Sequence, residues 1–160
     1  MNEAYSIRRF APEDAAEVLN IIHRALREVC SKSYPADIIA EVCGRFSVEQ
    51  LVRQGVTAHT YVAESASGGI LGTGTIAPYF GSETESVLLT IYVLPDVIGR
   101  GIGSEIVRTL EKDEFFLRAN RIEVPSALNA VDFYREMGYV FKGGRKNIGD
   151  DGLVRLEKRR

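Results

Sequence analysis

Gly99, Gly101 and Gly103, three glycines at alternate positions, are the residues of this 160-residue chain whose spacing most directly implies chemistry. Alternating glycines let a backbone turn tightly and aim several N–H groups at one point. At the start of a helix such a nest attracts phosphate, through hydrogen bonds and the positive end of the helix dipole. Both flanks suit that use. Ser86 to Leu94 is apolar and β-branched, and Pro95 closes it, as in a buried strand. Ile102, Ile106 and Leu110 then recur at four-residue spacing, which lays one apolar stripe along a helix. The stretch reads as strand, glycine turn and helix, arranged as a pyrophosphate cradle. A glycine triplet alone is as readily a flexible turn; the flanking elements argue for more. Two familiar phosphate loops do not fit. The dinucleotide pattern Gly-x-Gly-x-x-Gly would need glycine at Ser104 or Ile106, and a P-loop would need a closing Gly-Lys-Ser/Thr.

The elements that must position this cradle follow from patterning. Tyr5–Phe10 alternates as a first strand, and Val18, Ile22, Leu26 and Val29 mark a helix from Pro12 to about Cys30. Ala36–Arg45 is a second helix. Ser47-Val48-Glu49-Gln50 is a capping-box pattern that opens a third, with Gly55 as its stop. His59–Glu64 and Ile70–Tyr79 are strands, and Gly72 and Gly74 in the latter imply that something packs closely against it. After the cradle helix come a strand, Arg121–Val124, ended by Pro125, and a helix, Ala127–Met137, stopped by Gly138. Two strands follow, around Tyr139–Lys142 and Leu153–Leu156. The expected architecture is one mixed α/β domain over residues 1–160, with a mostly antiparallel central sheet flanked by helices.

Composition narrows the function classes. Hydrophobic residues make up 45% and charged residues 26%, and the formal net charge is -2, so neither a nucleic-acid nor an anionic-membrane partner is expected. Cys30 and Cys43 make no disulfide framework, and with only His23 and His59 beside them no metal site is expected. His23 is expected to be exposed or hydrogen-bonded. No signal-peptide pattern or membrane-length apolar run is present in the sequence, so a reducing, cytoplasmic setting is the expectation.

Val93-Leu94-Pro95 followed by Gly101-Ile102-Gly103 resembles the acyl-CoA motif of the GNAT superfamily of acyl-CoA-dependent N-acyltransferases, commonly written Arg/Gln-x-x-Gly-x-Gly/Ala after a strand ending Val-x-Pro. The Arg/Gln position falls on Ile98, a departure; Arg100 would supply charge instead. Asn129 to Tyr139, with Phe133-Tyr134 and Gly138, is similar to that family's second signature, Asn followed by Phe-Tyr and Gly-Phe/Tyr. The resemblance covers about the C-terminal half of the chain and implies a GNAT-like fold and transfer of an acetyl group from acetyl-CoA to a primary amine of a small molecule or protein. It implies a cofactor-binding set of Tyr92, Val93, Ile98, Gly99, Arg100, Gly101, Ile102, Gly103, Ser104 and Asn129. A backbone N–H near Val93 would polarise the thioester, and Tyr134 would donate to the leaving thiolate. A general base is expected at Glu85, or else Glu83, just before the central strand, with Tyr92 acting through a water as a substitute. Tyr34, Phe46 and Cys43 would wall the acceptor pocket, although Cys43 reads more simply as core. No Cys–His pair is evident, so direct transfer in a ternary complex is expected. The alternative is a non-catalytic acyl-CoA-binding sensor or partner module; a homodimer is left open.

Overall fold

The structure, a computed structural model, describes residues 3–160. Its strands are β1 (Tyr5–Arg9), β2 (His59–Ser65), β3 (Ile70–Pro78), β4 (Glu85–Val93), β5 (Arg121–Ser126), β6 (Val140–Phe141) and β7 (Val154–Arg159). Its helices are α1 (Ala15–Glu28), α2 (Ala36–Gly44), α3 (Val48–Thr57), α4 (Ile102–Leu110), α5 (Glu114–Leu117) and α6 (Val131–Glu136). The strands form one sheet in the order β1-β2-β3-β4-β5-β7-β6. Neighbours are antiparallel except β4 and β5, which run parallel. This is the mixed, mostly antiparallel α/β architecture expected.

Both faces of the sheet are covered. Val62 and Ala63 are consecutive in β2 and both fully buried, yet they belong to different hydrophobic clusters, because successive strand residues point to opposite faces. Val62 packs with Val18, Ile21, Ile22 and Leu26, the inward stripe of α1. Ala63 packs with Ile102, Ile106 and Leu110, the stripe of α4. That second helix lies very close to β3. A Cβ added at Gly74 would stand 2.5 Å from Ile106 Cγ2, and one at Gly72 2.9 Å from Ile106 Cδ1. The two glycines are the seat of α4, the close approach that their place in a strand implied.

Three local expectations are corrected. Gly55 does not stop α3, which runs on to Thr57; a Cβ there would meet the Phe10 ring at 3.2 Å, so the glycine serves helix–aromatic packing. Pro125 does not end β5, which continues to Ser126 and stays paired with β7. A proline is tolerated there because β4 no longer lies alongside to accept a ladder bond. The segment before Gly138 is a 3-10 turn, Leu128–Ala130, leading into a short α6.

The parallel pairing of β4 with β5 extends only from Glu85↔Arg121 to Val87↔Glu123. Beyond it the two strands splay. On the other side of β4 the register with β3 shifts: Thr73 faces Tyr92 and Thr75 faces Leu89, so Thr90 and Ile91 together oppose Gly74. This is a β-bulge, which bends a strand. Thr90 carries it at φ 54, a left-handed conformation that a β-branched residue adopts only under constraint. Its hydroxyl accepts a 3.3 Å hydrogen bond from Gln54 Nε2 of α3.

Candidate active site

The splay between β4 and β5 opens a cavity of about 360 Å³. Its walls are the C-terminal half of β4, Val124 and Pro125 of β5, the end of α1, Phe46 after α2, and Tyr134 of α6. Backbone groups are exposed there because neither strand has its partner. Leu94 N–H donates to Leu71 C=O at 2.8 Å, toward β3. Donors alternate along an antiparallel strand, so the N–H of Val93 points the other way, into the gap that β5 has left.

Tyr134 comes to the same cavity from α6. It is 6% exposed, and among the described residues its hydroxyl has no hydrogen-bond partner. Burial pushes its pKa well above the usual tyrosine range, and the nearby Tyr92 and Cys30 push the same way, so the phenol keeps its proton at neutral pH. Edge-on contacts with Phe133 (5.1 Å between centroids) and Tyr139 (6.3 Å) hold the ring. Tyr139 is itself anchored by its hydroxyl, which donates to Glu111 at 2.9 Å. Tyr92 also lines the cavity, edge-on to Phe46 at 6.0 Å, and burial raises its pKa too.

A second recess of about 270 Å³ adjoins the first and shares Val93 and Ile98 with it. It is lined by Gly99, Gly101, Ile102, Gly103 and Ser104, with Phe133 opposite. Gly101 is the N-cap of α4 at φ 81 and no side chain caps the helix. The first intrahelical bond runs from Glu105 N–H to Gly101 C=O at 3.1 Å. The N–H groups of Ile102, Gly103 and Ser104 therefore have no partner among the described residues. Gly99 has φ 88, and a Cβ at either Gly99 or Gly101 would meet nothing within 4 Å. Here glycine is required by conformation, and the space before it stays open. An unpaired helix N-terminus facing open space fits a diphosphate.

The remaining predicted residues divide. Asn129 lies at the cavity beside the Cys30 thiol. Ile98 is 54% exposed and forms the rim between the two recesses, an apolar side chain where a polar one was expected. Arg100 does not line the cradle; it borders a separate recess with Glu3 and Tyr5. Phe46 lines the cavity, whereas Cys43 is buried in the α1–α2 core, its carbonyl 3.0 Å from His23 Nε2. Tyr34 bridges elements instead, donating to Gly152 C=O at 2.7 Å and accepting from Leu128 N–H at 2.8 Å.

Glu85 and Glu83 are not brought to the cavity. Glu85 starts β4, eight residues and about 26 Å of strand from Val93. Its carboxylate is bonded to the buried Arg121 guanidinium, which also holds Glu123 and Glu157 at 3.0 Å each. Glu83 is exposed in the preceding loop. The reason is nonlocal: Arg121 claims the carboxylate from 36 positions away. Sequence reasoning also missed Cys30, Thr90 and Asp151 as cavity residues; they arrive from a helix end, a bulge and the loop before β7, none of which carries a local signal.

A model of the GNAT acetyltransferase domain matches residues 57–141, more than half of the chain. Solved structures with the same fold include the PaiA N-acetyltransferase of Thermoplasma acidophilum in complex with coenzyme A. It has a TM-score of 0.81 at 17% identity and covers 98% of this chain and 99% of that one. An N-acetyltransferase of Staphylococcus aureus gives 0.69 at 19% identity, with 98% of each chain covered. A GNAT family acetyltransferase of Brucella melitensis in complex with acetyl-CoA gives 0.64 at 25% identity, over 86% of this chain and 84% of that one. A search of curated proteins finds no match. The matched segment runs from the start of β2 through the bulged β4, the glycine cradle and α6 to β6, and on that ground the chain belongs to the GNAT acetyltransferase family.

Proposed function

We propose that the protein transfers an acetyl group from acetyl-CoA to a primary amine, directly and within a ternary complex. The observation that carries this reading is that the inward N–H of Val93 and the unpartnered hydroxyl of Tyr134 face one cavity, which adjoins a diphosphate-sized cradle at the start of α4. Acetyl-CoA supplies the activated acyl group as a thioester. The free N–H groups of Ile102, Gly103 and Ser104 hold its diphosphate, and Asn129 is placed to bond the arm that leads into the cavity. Val93 N–H donates to the thioester oxygen, where charge develops as the amine attacks. Tyr134, kept protonated by burial, donates to the sulfur as the thiolate leaves. Cys30 has no histidine beside it and its pKa is raised by burial, which supports transfer without an acyl-enzyme.

Calorimetry with acetyl-CoA, together with turnover against an amine panel, tests this reading in the native chain and in Tyr134→Phe. Binding in both, with turnover lowered only in the variant, is expected. Binding without turnover of any amine would point to a non-catalytic acyl-CoA-binding module.

A further inference from the structure

Resting on the acetyltransferase reading, the question left is what amine the cavity accepts. The side chains that can carry charge around it are Cys30 from the end of α1, Arg45 after α2, Tyr92 from β4, Tyr134 from α6 and Asp151 from the loop before β7. Burial raises Cys30, Tyr92 and Tyr134, so all three are neutral near pH 7. Arg45 is 63% exposed and paired with Glu41 at 2.8 Å. Asp151 is the one carboxylate among them and its charge is matched by Arg155. Arg155 donates to both of its oxygens, at 2.8 and 2.7 Å, and Leu153 N–H adds a third bond at 3.1 Å. Arg155 also holds Asp151 below the usual carboxylate range, so it is a poor proton acceptor. Apart from the neutral Thr90 and Asn129, the other side chains of the wall are apolar, among them Val29, Val42, Phe46, Leu89 and Leu153.

Such a wall neither attracts an ammonium group nor removes its proton. An alkylamine with a lysine-like pKa is neutral in only about one molecule in 2,500 at pH 7, and burying the charged form without a counter-charge is costly. An arylamine is neutral already, because its lone pair is delocalised into the ring, and a ring suits walls that include the edge-on Phe46–Tyr92 pair. We infer that the acceptor is a small, apolar, weakly basic amine of the arylamine class, which enters the cavity already neutral. The amine nitrogen forms a bond to the acyl carbon and the C–S bond breaks. The Tyr134 proton goes to the thiolate. The proton that the nitrogen sheds after attack, when its N–H has become strongly acidic, passes to the Tyr134 phenolate directly or through water and restores the phenol.

The test measures CoA release from acetyl-CoA with p-toluidine, benzylamine and spermidine between about pH 6.5 and about pH 8.5, with acetyl-CoA binding followed separately by calorimetry. At about pH 7, kcat/KM is expected to be at least about tenfold higher for p-toluidine than for either alkylamine, and flat with pH. For benzylamine it should climb about tenfold per pH unit, tracking the neutral amine. A preference for spermidine or benzylamine at neutral pH, with acetyl-CoA bound, would overturn the acceptor class and leave the transferase reading standing. So would a benzylamine profile that levels off well below that amine's own pKa, the mark of a protein base. Failure to bind acetyl-CoA, or binding with no amine turned over, would remove the transferase reading and this inference with it.

Discussion

At its N-terminal end β4 lies against β5, and between them the Arg121 guanidinium, with 8% side-chain exposure, bonds Glu85, Glu123 and Glu157 while Lys142 reaches Glu123 at 2.8 Å. At its C-terminal end the same strand has no β5 partner, and the cavity beside it is lined by a backbone N–H, mostly apolar side chains and hydroxyls that burial keeps neutral. Its two charged groups, Arg45 and Asp151, are each paired with an opposite charge. One strand thus joins a closed, ionic end to an open, nearly uncharged one. The carboxylates that β4 and β5 carry are spent on cohesion at the closed end. On the proposed reading the open end keeps neutral donors for acyl transfer, and its one carboxylate, Asp151, is paired with Arg155.

If that division holds, each end should fail in its own way. The largest effect is expected for Arg121→Ala, which leaves three carboxylates facing one another, two of them buried. Urea unfolding should show a loss of about 3–5 kcal/mol, while the remaining folded protein keeps its acetyl-CoA affinity. A parallel loss of affinity would mean that the two ends are coupled. Tyr134→Phe should do the opposite, lowering kcat about a hundredfold with little change in unfolding midpoint or acetyl-CoA affinity. Gly74→Ala probes the seat of α4 on β3, since its Cβ would collide with Ile106 and displace the helix. A destabilisation of about 1–3 kcal/mol is expected, accompanied by weaker acetyl-CoA binding because the cradle is the first turn of that helix.

The smallest effect concerns Asp113, beside the closed end, which accepts from Tyr61 Oη at 2.6 Å and Phe115 N–H at 2.8 Å and contacts His59 Nδ1 at 2.9 Å. These partners hold its pKa below the usual aspartate range in spite of burial. A carboxylate depressed in the folded state stabilises above its unfolded pKa of about 4, and that contribution is lost as pH falls through the folded value. Asp113→Asn should therefore cost about 1 kcal/mol at neutral pH, with the two melting curves converging as the pH is lowered below about 4. A gap that persists in acid would show that the effect is packing and not charge.

Much of the cradle is legible in the sequence because its requirements are local. Gly99 and Gly101 are needed for their own positive φ, and Ile102, Ile106 and Leu110 for the face of their own helix. Tyr134 is legible through its neighbours, Phe133 and Gly138, on one helix and its stop. Gly55 shows where local reading fails: the same residue type that ends helices stands inside one, because Phe10, 45 positions earlier, packs against it.

By itself the sequence determined the order and type of most elements, the glycine turn that opens α4, and the tyrosine that faces the cavity. These depend on backbone conformation and on periodicity within a single element. Only the tertiary structure decided which charges meet. It sent Glu85 to Arg121 and Asp151 to Arg155, turned Arg100 away from the cradle, and brought Cys30 beside Asn129. A carboxylate becomes a base, a strut or a spectator according to the cation that reaches it first, and that partner is chosen by the way the sheet splays and the helices cross it.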